Sequence, residues 1–185
     1  MANPLLDRAS PEELAARSQV IDVTVKLDDL GRLVKIAKED MAAVAREYQP
    51  REWRAAPVNI RLGFAWAGER GKIPLLAGNV ETTVAAVCQR CLEPFALPLR
   101  ATLNMLLVRA ADEAAGQNEF EIWELEEDVV RPLDIVEEAL IMALPLSALH
   151  APGEQCRPLT ESANGEKRET VRPFADLRSR MDKSN

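Results

Sequence analysis

The stretch Val58-Asn59-Ile60-Arg61-Leu62-Gly63-Phe64-Ala65-Trp66 alternates apolar residues with polar or small ones, the period-two pattern of a strand with one buried face. It runs into Gly68-Glu69-Arg70-Gly71, a turn cluster, and a returning strand is expected from Ile73 to about Val87. After Cys88-Gln89-Arg90-Cys91, the residues Phe95, Leu97, Leu99, Ala101, Leu103, Met105 and Leu107 alternate with Pro98, Arg100, Thr102 and Asn104. Consecutive strands joined by short connections make an antiparallel meander, and they place the cysteine pair at a strand-to-strand corner.

Upstream, Ser10-Pro11-Glu12-Glu13 reads as a helix start, with Ser10 as N-cap, Pro11 at the first helical position and Glu13 placed to reach back as a capping box. Ile21, Val23, Val25 and Leu27 then alternate with Asp22, Thr24 and Lys26, a strand. Ile36, Met41, Val44, Ala45 and Tyr48 recur at helical spacing before Pro50, a second helix. Downstream, Asp112 to Asp128 holds eight acids and no base, interrupted by Phe120, Ile122, Trp123 and Leu125, and is read as an acidic loop leading into a short edge strand. Leu133, Val136, Leu140, Ile141 and Leu144 form the apolar stripe of an amphipathic helix closed by Pro145, with Asp134, Glu137 and Glu138 expected on its solvated side. The reading is an α+β fold, a mainly antiparallel sheet or partial barrel with flanking helices. Residues 1–156 form one globular domain, and 157–185 form a polar, partly disordered, flexible C-terminal tail in which 172–177 is a short docking motif.

The chain has 185 residues, 47% of them apolar and 29% charged, ordinary for one soluble domain. No apolar run approaches the roughly 18 residues that cross a bilayer, and Met1 to Arg8 lacks a cationic start followed by an apolar run, so neither a membrane span nor a secretory signal is expected. A cytoplasmic address follows, where three cysteines are reduced or metal-bound rather than paired. A net charge of −7 argues against a chain that coats nucleic acid by electrostatics alone. The charge is divided, however: residues 46–109 carry nine basic groups against five acids, whereas 110–156 carry twelve acids and only Arg131. Such a molecule offers a basic face to RNA and an acidic face to a basic protein, unless both are merely solvated.

Four segments carry a resemblance. Val87-Cys88-Gln89-Arg90-Cys91-Leu92-Glu93-Pro94-Phe95, then Asp134 to Pro145, then His150 and Cys156, then Arg172-Pro173-Phe174-Ala175-Asp176-Leu177, are similar in order and spacing to the YceD family, the bacterial large ribosomal RNA subunit accumulation proteins. The resemblance implies a role in synthesis, processing or stability of large-subunit ribosomal RNA, with ribosomal RNA or large-subunit assembly intermediates as partners. The chain departs from the family in its tail, where some relatives carry further C-x-x-C cysteines and where Asn stands in place of Arg172.

Cys88, Cys91 and Cys156 offer three thiolates and His150 a fourth ligand, a set that suits zinc. Inert thiols and redox work stay open beside it, although a reactive C-x-x-C usually opens a helix and this one lies at a strand corner before Pro94. There is no Gly-rich phosphate loop, and His150 has no nucleophile in register, so no catalytic residue is assigned and the chain is not read as an enzyme. Arg51, Trp53 and Arg54, with Arg90 between the cysteines, are the candidate nucleic-acid contacts, whereas Trp66 is expected in the core. Glu121, Glu124, Glu126, Glu127, Phe174 and Leu177 are candidate partner contacts. The functional reading is a non-catalytic factor in large ribosomal subunit biogenesis. Its alternatives are a zinc-knuckle module that binds ribosomal RNA directly and an acidic chaperone for a basic ribosomal protein.

Overall fold

A computed structural model describes residues 4–68, 73–110, 118–151 and Cys156. The turn at 69–72, the connection at 111–117 and the expected tail with its 172–177 motif lie outside these described residues. In chain order the elements are α1 (Pro11–Ala16), β1 (Val20–Lys26), α2 (Gly31–Asp40), β2 (Pro57–Ala67), β3 (Ile73–Val87), β4 (Pro94–Val108), β5 (Glu121–Glu124) and α3 (Pro132–Met142). Among the described residues no helix is long and apolar enough to cross a membrane.

The strands form one open sheet in the order β1-β2-β3-β4-β5, antiparallel up to β4, with the short β5 added parallel to β4. Register follows the apolar alternation. Ile60 lies opposite Val80 and Val80 opposite Ala101, while Phe64 lies opposite Leu76 and Leu76 opposite Met105. These side chains point to one face, where they pack with Leu33 of α2 and with Leu133, Val136 and Leu140 of α3. The other face keeps Asn59, Arg61, Asn79, Arg100 and Thr102 exposed, as expected for an antiparallel sheet solvated on one side. Between these rows Gly78 faces Leu62 and Leu103. A Cβ there would lie 2.1 Å from the Arg61 carbonyl oxygen, so β2 and β3 approach closely enough only because the residue is glycine.

The structure corrects four sequence expectations. The second helix starts at Gly31 rather than near Ile36 and ends at Asp40, because its buried positions are Leu33 and Ala37, with Met41 just beyond. The apolar residues from Val44 to Tyr48 belong to a separate turn, and Tyr48 is 67% exposed. Trp66 is exposed as well: the buried alternation of β2 stops at Phe64, and Ala67 is buried instead, with Leu106 and Val108 in a second small cluster. At α1 the Ser10 hydroxyl accepts from the Glu13 N–H as an N-cap, but it donates to Glu12, and no reach-back by Glu13 closes the expected box.

The fourth correction concerns Glu137, which is buried rather than solvated. The residue before α2 is Leu30, whose side chain cannot cap a helix. Glu137 supplies the missing acceptor from α3. Its Oε1 accepts from the backbone N–H groups of Arg32 (2.6 Å) and Leu33 (3.1 Å), and its Oε2 accepts from Arg32 Nε (3.0 Å). Arg32 also donates to Glu138 Oε2 at 2.7 Å. A carboxylate at a helix N-terminus is favoured by the helix dipole as well as by its hydrogen bonds. Glu137→Ala is expected to lower the unfolding free energy by about 2–4 kcal/mol, since two backbone donors and a guanidinium lose a buried acceptor. Glu138→Ala, at a partly exposed pair, should cost less than about 1 kcal/mol. Urea midpoints at unchanged slope measure both, and equal effects would show that the cap carries no special weight.

Candidate metal centre

The corner between β3 and β4 is a tight loop with its own hydrogen bonds. The Cys88 N–H donates to the Glu93 carbonyl (2.9 Å) and the Leu92 N–H to the Cys88 carbonyl (2.8 Å), so residues 88–93 fold back on themselves. Leu92 closes the loop with φ 59°, in the left-handed region that a leucine seldom occupies. Pro94 then opens β4. Cys88 and Cys91 are both buried at this corner.

The chain leaving α3 is laid across the same loop. The Gln89 N–H donates to the Ala148 carbonyl (2.9 Å), the Ser147 hydroxyl donates to Gln89 Oε1 (2.8 Å), and the His150 ring sits 4.7 Å from that of Phe95. His150 Nδ1 is thereby placed 3.5 Å from Cys91 Sγ, and Cys156 Sγ lies 3.6 Å from Cys88 Sγ. The four ligand atoms all fall within 4.8 Å of one another. Residues far apart in the chain are thus one cluster.

Geometry decides what the cluster suits. A tetrahedral ion with metal–sulfur bonds of about 2.3 Å and a metal–nitrogen bond of about 2.0 Å needs edges of roughly 3.8 Å between sulfurs and 3.6 Å from sulfur to nitrogen. The Cys88–Cys156 and Cys91–His150 separations match those edges, whereas a disulfide needs about 2.05 Å, and all three thiols are free. Protonation fits too. Burial works to raise the Cys88 pKa, but the N–H groups of Cys91, His150 and Arg90, together with the Cys156 thiol, outweigh it and hold the value at about 6. Burial pushes Cys156 up to about 11, reinforced by its neighbours Cys88 and Cys91. One sulfur is ready as a thiolate and the other keeps its proton until a cation displaces it. The set can therefore hold a metal ion with four protein ligands and no open position.

Apart from Arg90, none of the other candidate residues belongs to this cluster or its loop, and some lie outside the described residues. Arg51 is exposed, Trp53 is half-buried against the core, and the Arg54 guanidinium lies 5.5 Å above the Trp53 ring. Arg90 is exposed on the cysteine loop itself. Glu121, Glu124, Glu126 and Glu127 are all exposed, but Glu127 pairs with Arg8 (2.7 Å) and the adjacent Asp128 with Arg109 (3.1 Å). The acidic segment thus has basic neighbours in space that the local sequence lacks. Phe174 and Leu177 lie outside the described residues. Tyr48 was missed by sequence reasoning, which placed it on a helix face. It lines a pocket of ≈ 520 Å³ together with Ala43–Ala45 and Leu92–Pro94, beside the cysteine loop. Its place at the end of an apolar run just before Pro50 concealed it.

The model of a protein family described as "Large ribosomal RNA subunit accumulation protein YceD" matches residues 76–182, more than half of the chain. No curated protein and no solved structure matches it. The matched span contains all four clustered ligands. Metal titration tests the cluster: added cobalt(II) should saturate at about one ion per chain with the visible absorption of a tetrahedral thiolate site, and Cys156→Ser should weaken binding by at least about tenfold. An octahedral spectrum, or uptake indifferent to Cys156, would remove the assignment.

Proposed function

The chain belongs to the YceD family of large ribosomal RNA subunit accumulation proteins, and from that premise we propose that it is a non-catalytic factor in large ribosomal subunit biogenesis, built around a structural zinc centre and acting in the cytoplasm. The observation that carries this reading is the closed donor set. Cys88, Cys91, Cys156 and His150 could together supply all four ligands of a tetrahedral ion, and a zinc ion so enclosed would have no position for water or substrate. Three thiolates and one imidazole form a soft set that favours zinc over magnesium or calcium. Zinc would tie the β3–β4 corner to the chain beyond α3 and supply folding energy there.

Direct contact with ribosomal RNA is the form of the function that the surface supports best. Arg90 is exposed on the cysteine loop, and exposed Tyr48 lines a pocket with Leu92, Glu93 and Pro94 of the same loop, so a cation and a stacking ring are both available near this corner. Arg51 is exposed as well, while Trp53 serves less as a stacking platform because Arg54 already lies over its ring. The acidic-chaperone reading through Glu121, Glu124 and Glu126 draws less support, since the pairings of Glu127 and Asp128 neutralise part of that segment.

Purified protein is expected to carry about one zinc per chain, and chelation should cost about 2 kcal/mol or more, lowering Tm by roughly 4–8 °C. Metal-free protein of unchanged Tm would remove the zinc. Tyr48→Ala combined with Arg90→Glu should weaken ribosomal RNA binding by roughly tenfold and flatten its salt dependence. Ribosomal partners captured from cells should vanish on nuclease treatment. Partners that persist after RNA digestion would instead favour a protein chaperone.

A further inference from the structure

Beside the metal centre an apolar groove of ≈ 350 Å³ opens between α2, the ends of β3 and β4, and the chain that follows α3. Ile36, Ala37, Val84, Leu97 and Leu144 line it, and Leu92 and Leu146 stand at its rim. The rim is costly to the chain by itself. Leu146 is wholly exposed at 103%, and Leu92 is 56% exposed on a backbone held at φ 59°. A bulky side chain in that region raises the free energy of the loop, and exposing it to water recovers nothing. These choices are accounted for if another apolar surface covers the groove.

We propose that the covering surface is the chain's own C-terminal segment, with Phe174, Leu177 and Met181 seated in the groove. Three observations carry the choice. The first is where the described body ends: Cys156 belongs to the cluster whose loop also gives Gln89 and Leu92 to the groove wall, so the tail departs from the rim. Seventeen residues (157–173) separate Cys156 from Phe174, and a coil of that length would have an r.m.s. reach of about 23 Å, comparable to the width of a small domain. Docking is then intramolecular, at an effective concentration near millimolar, which favours the tail over a second copy at ordinary protein concentrations.

The second observation is pattern. Phe174, Leu177 and Met181 recur at i, i+3 and i+7 after Pro173, the anchor spacing of a helix laid into a groove, in a tail otherwise mostly polar. Arg172, Arg178 and Arg180 flank the anchors, and Asp40 sits in the groove lining to meet a cation. The third is extent, since the family match runs to residue 182, past the described body and through these anchors. The segment belongs to the matched unit.

The test uses the full, metal-loaded chain without nucleic acid, so its outcome is separate from that of the ribosomal reading. A photo-crosslinking benzoyl group is introduced by Phe174→p-benzoylphenylalanine, and isotopically heavy and light chains are mixed before irradiation. Adducts should form within one chain, on residues 36–40, 84–92 or 144–148. Leu146→Asp, a change at a fully exposed side chain that leaves metal content unaltered, should cut their yield at least threefold. Adducts joining heavy to light chains, adducts elsewhere on the surface, an absence of adducts, or a yield indifferent to Leu146→Asp would each overturn the proposal.

Discussion

A single carboxylate organises the helical layer. Glu137 reaches from α3 to the uncapped start of α2 and accepts from two backbone N–H groups and one guanidinium, so the helices are locked to one another end to side. Leu30, at the position where a capping side chain usually stands, is fully buried in the core instead. The chain has exchanged a local cap for a distant one, and the exchange couples α2 to α3 more firmly than apolar contact alone would. Once α3 is fixed over the sheet, its C-terminal end is aimed back at the β3–β4 corner. The hydrogen bond from Gln89 to Ala148 and the packing of His150 on Phe95 complete that path. Four ligand atoms meet because two helices and a strand corner have already been set in place.

The corner shows how little local structure a set of four potential metal ligands needs when the fold delivers the remainder. A strand end, a tight loop and a proline give Cys88 and Cys91, and N–H groups of the loop stabilise the Cys88 sulfur as an anion before any cation arrives. Such a loop favours binding over redox work. A reactive cysteine of this spacing needs one exposed thiolate and an accessible partner. Here the low-pKa sulfur is the fully buried one.

Strands were legible in the sequence because their signal is local: alternation places every second residue on the core face, and β2 follows it up to Phe64, while β3 and β4 follow it until the buried runs Val84–Ala86 and Met105–Val108. What failed was longer-range. Trp66 keeps the apolar phase of its strand, but the buried alternation stops at Phe64, so pattern alone could not show that it stands 39% exposed. Val44 to Tyr48 mimic a helix face because apolar residues of a turn fall at helical spacing by chance. Glu137 looked like half of a solvated acidic pair, since its buried role depends on a backbone terminus more than a hundred positions away. Gly78 carries no turn signal, and its necessity appears only when the Arg61 carbonyl is placed beside it. The ligand set was legible as chemistry but not as geometry. The residues are the chain's only cysteines and its only histidine, and only the sheet with its helices could bring them together.

The same reasoning reframes the divided charge. Along the chain, eight acids between Asp112 and Asp128 stand without a base, which argues for mutual repulsion and an external cation. In the fold, Arg8 from the N-terminal segment and Arg109 from the end of β4 reach into that stretch, and the bridge between Ala9 and Val130 draws the N-terminus alongside it. These surface pairs contribute little individually, yet they lower the local field that would otherwise steer a basic partner. Arg90 instead stands exposed on the cysteine loop, whose residues Leu92 to Pro94 share a pocket with Tyr48. Recognition of a polyanion needs cations held in position more than it needs a net positive chain. A net charge of −7 is therefore no bar to a local basic contact such as the exposed Arg90 of the cysteine loop.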